Sequence, residues 1–430
     1  MKNKKLFDQF RQITTREWRE KINADLKGAD FNDRLIWKTR EGIEVKPFYR
    51  MEDIENLPYI NTLPGEFPYI RGTKANDNKW RIRQNIEVTD FAKANRKVLN
   101  VLNNGVDSIG FIIVDADAVS EKNFRILLEG IPVETTEINF LCNGRAVEIL
   151  KNINKITVER GLAPLRISGA IEADPLGRLI GNGKLCVPVE EGFDYLASLS
   201  VSSAAFPSLR TIHLNASTFN NSGADIVKEL ALGLSMGSEY ITQLTERGIN
   251  ANLAASKIRF SFGIGSGYFT EIAKLRAARL LWSLITKGFN IDIKDEIKMD
   301  IHCVTSRWNK REDDPYVNML RTQTEAMAAI LGGTDSLTIE PFDITFRHPD
   351  KFSERIARNQ QLILKEESFF GRVADPAGGS YYVENLTNLI AEHSWKLFLE
   401  IEDQGGFLAS FGSGYIQKKI SDPAVLKGAR

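Results

Sequence analysis

The sequence is poor in the residues that build metal and redox sites. Its 430 residues include three cysteines, Cys142, Cys186 and Cys303, and only four histidines. An odd number of widely spaced cysteines without a CxxC pair supports neither a disulfide framework nor a zinc knuckle. Cys142 and Cys303 lie in apolar, strand-like runs and read as small hydrophobes. No pair of histidines stands at a metal-ligand spacing, so no metal site is expected. Excess charge of either sign is also missing. Lys+Arg and Asp+Glu each total 56, so nothing draws the chain to nucleic acid or an anionic membrane. No apolar run is long enough to span a bilayer. The start, Met1 to Leu6, lacks the apolar stretch of a signal peptide. These absences together predict a reducing, cytoplasmic setting. No GxSxG or comparable Ser/His/Asp arrangement is present either.

What remains is an ordinary globular composition, 43% hydrophobic and 26% charged, with room for a large core. Residues 1–85 read as an arm. An amphipathic helix over 7–27, with Thr14 and Glu17 placed to cap a restart, leads into a loop-rich stretch with Pro47, Pro58, Pro64 and Pro68. The arm holds too little apolar sequence to form its own core. Its Trp18, Trp37, Phe48 and Tyr49 must rest on this chain's own barrel or on another subunit.

After a helix at 89–104, short runs rich in Ile, Val and Phe alternate with helical patterns. The runs are Ser108–Val114, Ile138–Cys142, Leu165–Ile171, Thr211–Ala216, Ile258–Phe262, Met299–Thr305, Ser336–Ile339 and Gly371–Ala374. Eight strand–helix alternations predict an α/β fold, a closed (β/α)8 TIM barrel over 86–404, with an insertion at 175–207. Residues 405–430 read as a tail or linker.

In such barrels chemistry sits where strands end. The polar residues there are Asp115, Asp117, Asn143, Glu172, Asp174, Asn215, Ser217, Thr218, Gly263, Gly265, Ser306, Arg307, Glu340 and Asp375. Paired carboxylates at Asp115/Asp117 and Glu172/Asp174 suit acid–base work. Acidic residues also simply complement helix N-termini, which is the preferred reading. His213 and His302 fall inside strands and read as core histidines; His348 and His393 read as exposed. The glycine-rich run Phe262 to Tyr268 follows a strand and precedes a helix, where backbone N–H groups can hold a phosphate. It lacks the rest of a nucleotide fingerprint, and a tight loop explains it equally well. Arg276, Arg279, Arg355 and Arg358 read as solvated or subunit-facing helix edges.

Several longer strings are specific. They are Phe67 to Gly72 (FPYIRG), Glu271 to Trp282 (EIAKLRAARLLW), Asp314 to Arg321 with Ala328 to Thr334, Phe352 to Asn359, and Asp375 to Glu384 (DPAGGSYYVE). In order, and with the arm, they cover about residues 16–405. The chain resembles the methylmalonyl-CoA mutase superfamily. That resemblance implies an eight-stranded barrel with acyl-CoA threaded along its axis and cobalamin capping the C-terminal face.

The departures matter as much. Catalytic members carry Tyr after the Arg-Gln that follows FPYTRG; here Arg83-Gln84 precedes Asn85. They carry a Tyr-His pair within SGYHIQEAGA; Ser217 and Thr218 stand at those positions. Their Gln-Thr-Ser-Gly becomes Val304 to Arg307, which sets a bulky cation where a cofactor should lie flat. The run Thr338 to Asp343 resembles small, non-catalytic subunits. The catalytic members' cobalt-ligating DxHxxG is missing from this sequence, so a cobalamin-binding domain is expected to be absent. The resemblance therefore implies a non-catalytic small subunit in a heterodimer, with adenosylcobalamin in the large catalytic partner and no cofactor here. Alone, the chain could pair with itself as a homodimer. Asn85, Ser217, Thr218 and Arg307 are then degenerate positions. Residual CoA contacts would fall to Tyr69, Arg71, Gly263, Gly265 and Gly267. Two alternatives stay open: a catalytic barrel served by a separate cobalamin protein, and a vestigial acyl-CoA-binding module.

Overall fold

The computed structural model describes residues 9–141, 144–185, 187–292 and 297–420. Cys142, Asn143 and Cys186, singled out above, lie outside the described residues. Ten strands form. β1 (Trp37–Lys38) and β2 (Glu44–Val45) make an antiparallel hairpin in the arm. The other eight are β3 (Arg81–Val88), β4 (Ser108–Ile113), β5 (Glu137–Leu141), β6 (Gly169–Ala173), β7 (Leu209–Asn215), β8 (Ile258–Ile264), β9 (Asp300–Thr305) and β10 (Ser336–Thr338). They run in order around a closed parallel barrel, sealed where β10 pairs with β3. The expected TIM barrel is therefore the fold.

Four details differ from the expectation. The first barrel strand is Arg81–Val88, so a boundary at residue 85 cuts through it. Gly371–Ala374 forms no strand; it lies in a turn after the last barrel helix. Residues 175–207 are no insertion. They carry the crossover helices Pro175–Asn182 and Val189–Ser202 that join β6 to β7, as every parallel neighbour requires. The third run also starts late. Pro164–Arg166 makes a 3-10 turn, and β6 begins at Gly169.

The helices follow from caps and apolar stripes. Asp225 caps Ile226–Glu246 through the N–H of Lys228, and Ser380 caps Tyr381–Glu402 through that of Val383. Tyr381–Glu402 packs outside the barrel ring, on Ile226–Glu246 and Tyr268–Gly288. The core between sheet and helices is apolar, with Phe260, Phe262 and Trp282 fully buried. Cys303 is part of it, and burial pushes its thiol up to about 12.

The arm divides in two. From Thr39 to Ile70 it rests on this chain's own barrel, burying Ile43, Val45, Ile54, Tyr59 and Ile70. Arg40 donates to the carbonyl of Gly223 in the loop after β7, and Tyr59 reaches Glu384. The first helix, Thr15–Asp25, buries none of its residues. Its Trp18 stacks on Phe48 at 5.3 Å and is covered by the Arg50 guanidinium at 5.7 Å.

Candidate functional site

A parallel barrel of this kind normally fills its axis with layers of branched apolar side chains. Here the inward positions are polar. Alternation along β3 sends Ile82, Ile86 and Val88 to the helices and Arg83 and Asn85 to the axis. Arg83 crosses the barrel and its NH2 donates to Glu172 Oε1 at 2.7 Å, 89 residues away on β6. The Arg83 Nε donates to Asn85 Oδ1 at 3.1 Å. Gly110 on β4 makes room for this pair, since a Cβ there would stand 2.0 Å from Asn85 Oδ1 and 2.9 Å from the Arg83 guanidinium. Glu172 lies at an irregular step in the β6–β7 pairing, between Ala170 and Ala173. Its second oxygen meets His213 Nδ1 at 2.6 Å. Burial opposes ionisation of Glu172, but His213 and Arg83 outweigh it and bring the carboxyl down to about 2.

Below this layer lies a second. Arg259 on β8 reaches across to β5, donating to Asn139 Oδ1 and Glu137 Oε1, each at 2.7 Å. Its Nε donates to Asp300 Oδ1 at 2.7 Å, and Arg210 adds a further bond to Asp300. Beside these layers His302 bonds Ser336 Oγ through Nδ1 at 2.7 Å. Burial first, then the cations Arg83 and Arg259, holds its imidazole well below the usual range and hence neutral. Two cross-barrel arginines therefore occupy the axis from wall to wall.

The candidate residues separate around these layers. Asn85 and Arg307 come together in a cavity of about 400 Å³ where β3 outruns the short β10. Arg307 is pinned by Glu340 at 2.9 Å. Ser217 is on the far wall, buried and donating to Asn215 Oδ1 at 2.6 Å; Thr218 is half-buried beside it. Tyr69 and Arg71 belong to the opposite, N-terminal mouth. Tyr69 accepts from Arg279 Nε at 2.9 Å through its carbonyl, while Arg71 donates to Asp375 at 2.7 Å. The Gly263–Gly267 loop is at the C-terminal end. Its amides are taken: Gly263 donates to Glu229 at 2.6 Å and Gly265 to Glu271 at 2.8 Å. Both carboxylates share the buried Lys274. Burial pushes the Glu229 carboxyl up to about 7 even beside that cation. The loop thus turns those two donors inward rather than toward a phosphate.

Other expectations are sorted by the same geometry. Asp115 and Asp174 are helix caps, accepting from the N–H groups of Asp117 and Gly177. Glu172 is not a cap. Arg276 and Arg279 are not solvated edges but are 0% and 2% exposed. Arg276 holds Asp375 and Glu384, and Arg279 holds the carbonyls of Tyr69, Gly332 and Gly333. The lumen residues Arg83, Glu137, Arg259 and Asp300 were not among the sequence candidates. The one local signal was inward alternation of charge, Arg81-Ile82-Arg83 and Ile258-Arg259-Phe260.

Fold and lumen define a class: a parallel eight-stranded barrel with a polar axis closed by cross-strand ion pairs. Comparison with known proteins places it more narrowly. The methylmalonyl-CoA mutase family model matches residues 38–118 and 114–430. The chain is 43% identical to the methylmalonyl-CoA mutase small subunit of Porphyromonas gingivalis, over 97% of this chain and 67% of that protein. It is 36% identical to the methylmalonyl-CoA mutase of Cereibacter sphaeroides, over 96% of this chain and 62% of that one. The Homo sapiens mitochondrial methylmalonyl-CoA mutase is 35% identical, over 96% and 58%. The chain belongs to the methylmalonyl-CoA mutase family. It spans about two thirds or less of the length of these relatives.

Proposed function

We propose that this chain is a non-catalytic small subunit that packs on a larger, adenosylcobalamin-binding subunit of a cytoplasmic methylmalonyl-CoA mutase. The observation that carries the reading is the pair of cross-barrel arginines. Arg83 and Arg259 fill the axis along which the family resemblance threads acyl-CoA. Ser217 and Thr218 supply no ring to hold a thioester carbonyl or to crowd a cofactor. The Arg307–Glu340 pair puts charge where a flat corrin would rest. These residues do not fit cobalamin. The 43% identity to a protein named as a small subunit supports the same assignment.

The partner-facing surface is the free part of the arm. Trp18 and Trp37, ahead of the segment that rests on the barrel, are 46% and 56% exposed on this chain alone. Grouped apolar side chains of this size mark an interface. Native copurification with a larger homologue of the same family tests the assignment. A stable 1:1 complex is expected. A chain indifferent to that partner would contradict it.

One observation favours a second reading, a vestigial CoA-binding module. The N-terminal mouth is a cavity of about 520 Å³ lined by Lys74, Arg81, Arg210, Lys298 and Lys365. Much of this charge is already met, as Lys74 pairs with Asp335 and Lys365 with Asp107. Calorimetry with CoA separates the two readings.

A further inference from the structure

The upper lumen holds two nitrogens that the Arg83–Glu172–His213 network leaves over. Among the described residues, NH1 of Arg83 and Nε2 of His213 have no hydrogen-bond partner. Both side chains are deeply buried, 1% and 8% exposed. Buried nitrogens of this kind are seldom left unpaired, since each costs free energy unless something meets it. Their neighbours cannot supply it. Glu172 has given one oxygen to each of them on the other side. His302 is engaged with Ser336 and Thr338, and Arg259 with Glu137, Asn139 and Asp300.

From this geometry we infer that the upper lumen is a binding site for a small planar O–C–O anion, a monocarboxylate or bicarbonate, held by Arg83 and His213. The free edge of a guanidinium matches a carboxylate in shape and charge. An imidazole whose Nδ1 is fixed by a carboxylate presents Nε2 as a directed partner for the second oxygen. Size is set from below, where the Arg259 layer closes the axis. A cavity of about 400 Å³ adjoins the site on the β3 side, where Arg83, Asn85 and Thr338 are among its lining residues and His213 is not. Arg83 and Glu172 form one ion pair, and Nε2 of His213 lies on the far side of the ring from the Glu172 oxygen. The charged and titratable groups around that nitrogen are Glu172, Asp174, Arg83, Arg259 and His302. This site is independent of the subunit assignment above.

The test is isothermal titration of the purified chain with formate, acetate and isobutyrate, and separately with bicarbonate, at fixed ionic strength. Saturable binding is expected for the smallest anions, weakening with chain length, with sulfate unable to compete. Whichever of formate and bicarbonate binds more tightly identifies the source. Arg83→Gln and His213→Gln, checked for an unchanged melting transition, should each weaken binding at least about tenfold. Glu172→Gln should tighten it, because it frees both partners from their internal counter-ion; a scaffold role alone would not. No saturable binding to the intact chain overturns the proposal. So does equal affinity in folded Arg83 and His213 variants, which would mean an adventitious ion only.

Discussion

Arg83 on β3 and Glu172 on β6 meet inside the barrel at 2.7 Å, from strands three places apart in the ring. A guanidinium in that position is fully desolvated. It is tolerable only because the carboxylate and Asn85 are fixed to receive it. The account of this protein rests on that closure of the axis.

Its pH dependence follows from Glu172. His213 and Arg83 hold the folded carboxyl at about 2, well below the usual carboxylate value near 4.5. A lowered pKa means stability that is complete above 4.5 and is lost as pH falls toward 2. The shift corresponds to about 3 kcal/mol. Urea melts of the wild type and Glu172→Gln should therefore differ most near neutrality and converge as pH approaches 2. A gap that stays constant down to pH 2 would show that Glu172 is not held by these cations.

Arg259 anchors the lower layer. Replacing it with Met leaves Glu137 and Asp300 buried with less positive charge. The expected loss is about 3–5 kcal/mol, as for one partner removed from a buried pair. Equilibrium urea denaturation reads it directly. Removing Glu137 together with Arg259 should cost less than the sum of the single changes.

How much of this was legible in the sequence depends on the range of the contact. The runs at 108–114, 258–262 and 299–305 are Ile- and Phe-rich and announce buried strands. Arg81–Val88 is hard to read as a barrel strand because five of its eight side chains are charged or amide, the expected mark of a surface. Arg83 and Asn85 face inward instead, and Arg83 is satisfied by Glu172, far along the chain. Gly371–Ala374 reads as a strand only by its place in the alternation; the ring is completed by Arg81–Val88 instead. Helix caps at Asp115 and Asp174 are local and were readable. The lumen network joins residues separated by 89, 120 and 122 positions, and nothing in a local pattern encodes that. Arg276 and Arg279 were misplaced for a related reason. Helical spacing tells which residues share a face, not whether a second helix layer covers it.

Arg279 ties three carbonyls together without a carboxylate, and burial brings it down to about 10. Arg279→Met should leave the carbonyls of Gly332 and Gly333 without this donor and that of Tyr69 with the Gly72 N–H alone, at a cost of about 3 kcal/mol. Hydrogen exchange should then rise first over residues 67–72. Uniform acceleration across the barrel would point to a different role.

Trp37 is 56% exposed and contributes little to this chain's own core. Trp37→Glu should change the melting midpoint by no more than a degree or two. In an assembly with a larger family member, the same change should weaken association by about tenfold or more. Association measured by sedimentation, unaffected by the variant, would move the interface elsewhere.

The most direct test is turnover by the isolated chain. Purified protein is incubated with methylmalonyl-CoA and adenosylcobalamin, with no second subunit present, and succinyl-CoA is sought by mass spectrometry. A closed axis predicts none above the level of a protein-free blank. Isomerised thioester formed at a rate proportional to the concentration of this chain would contradict the account.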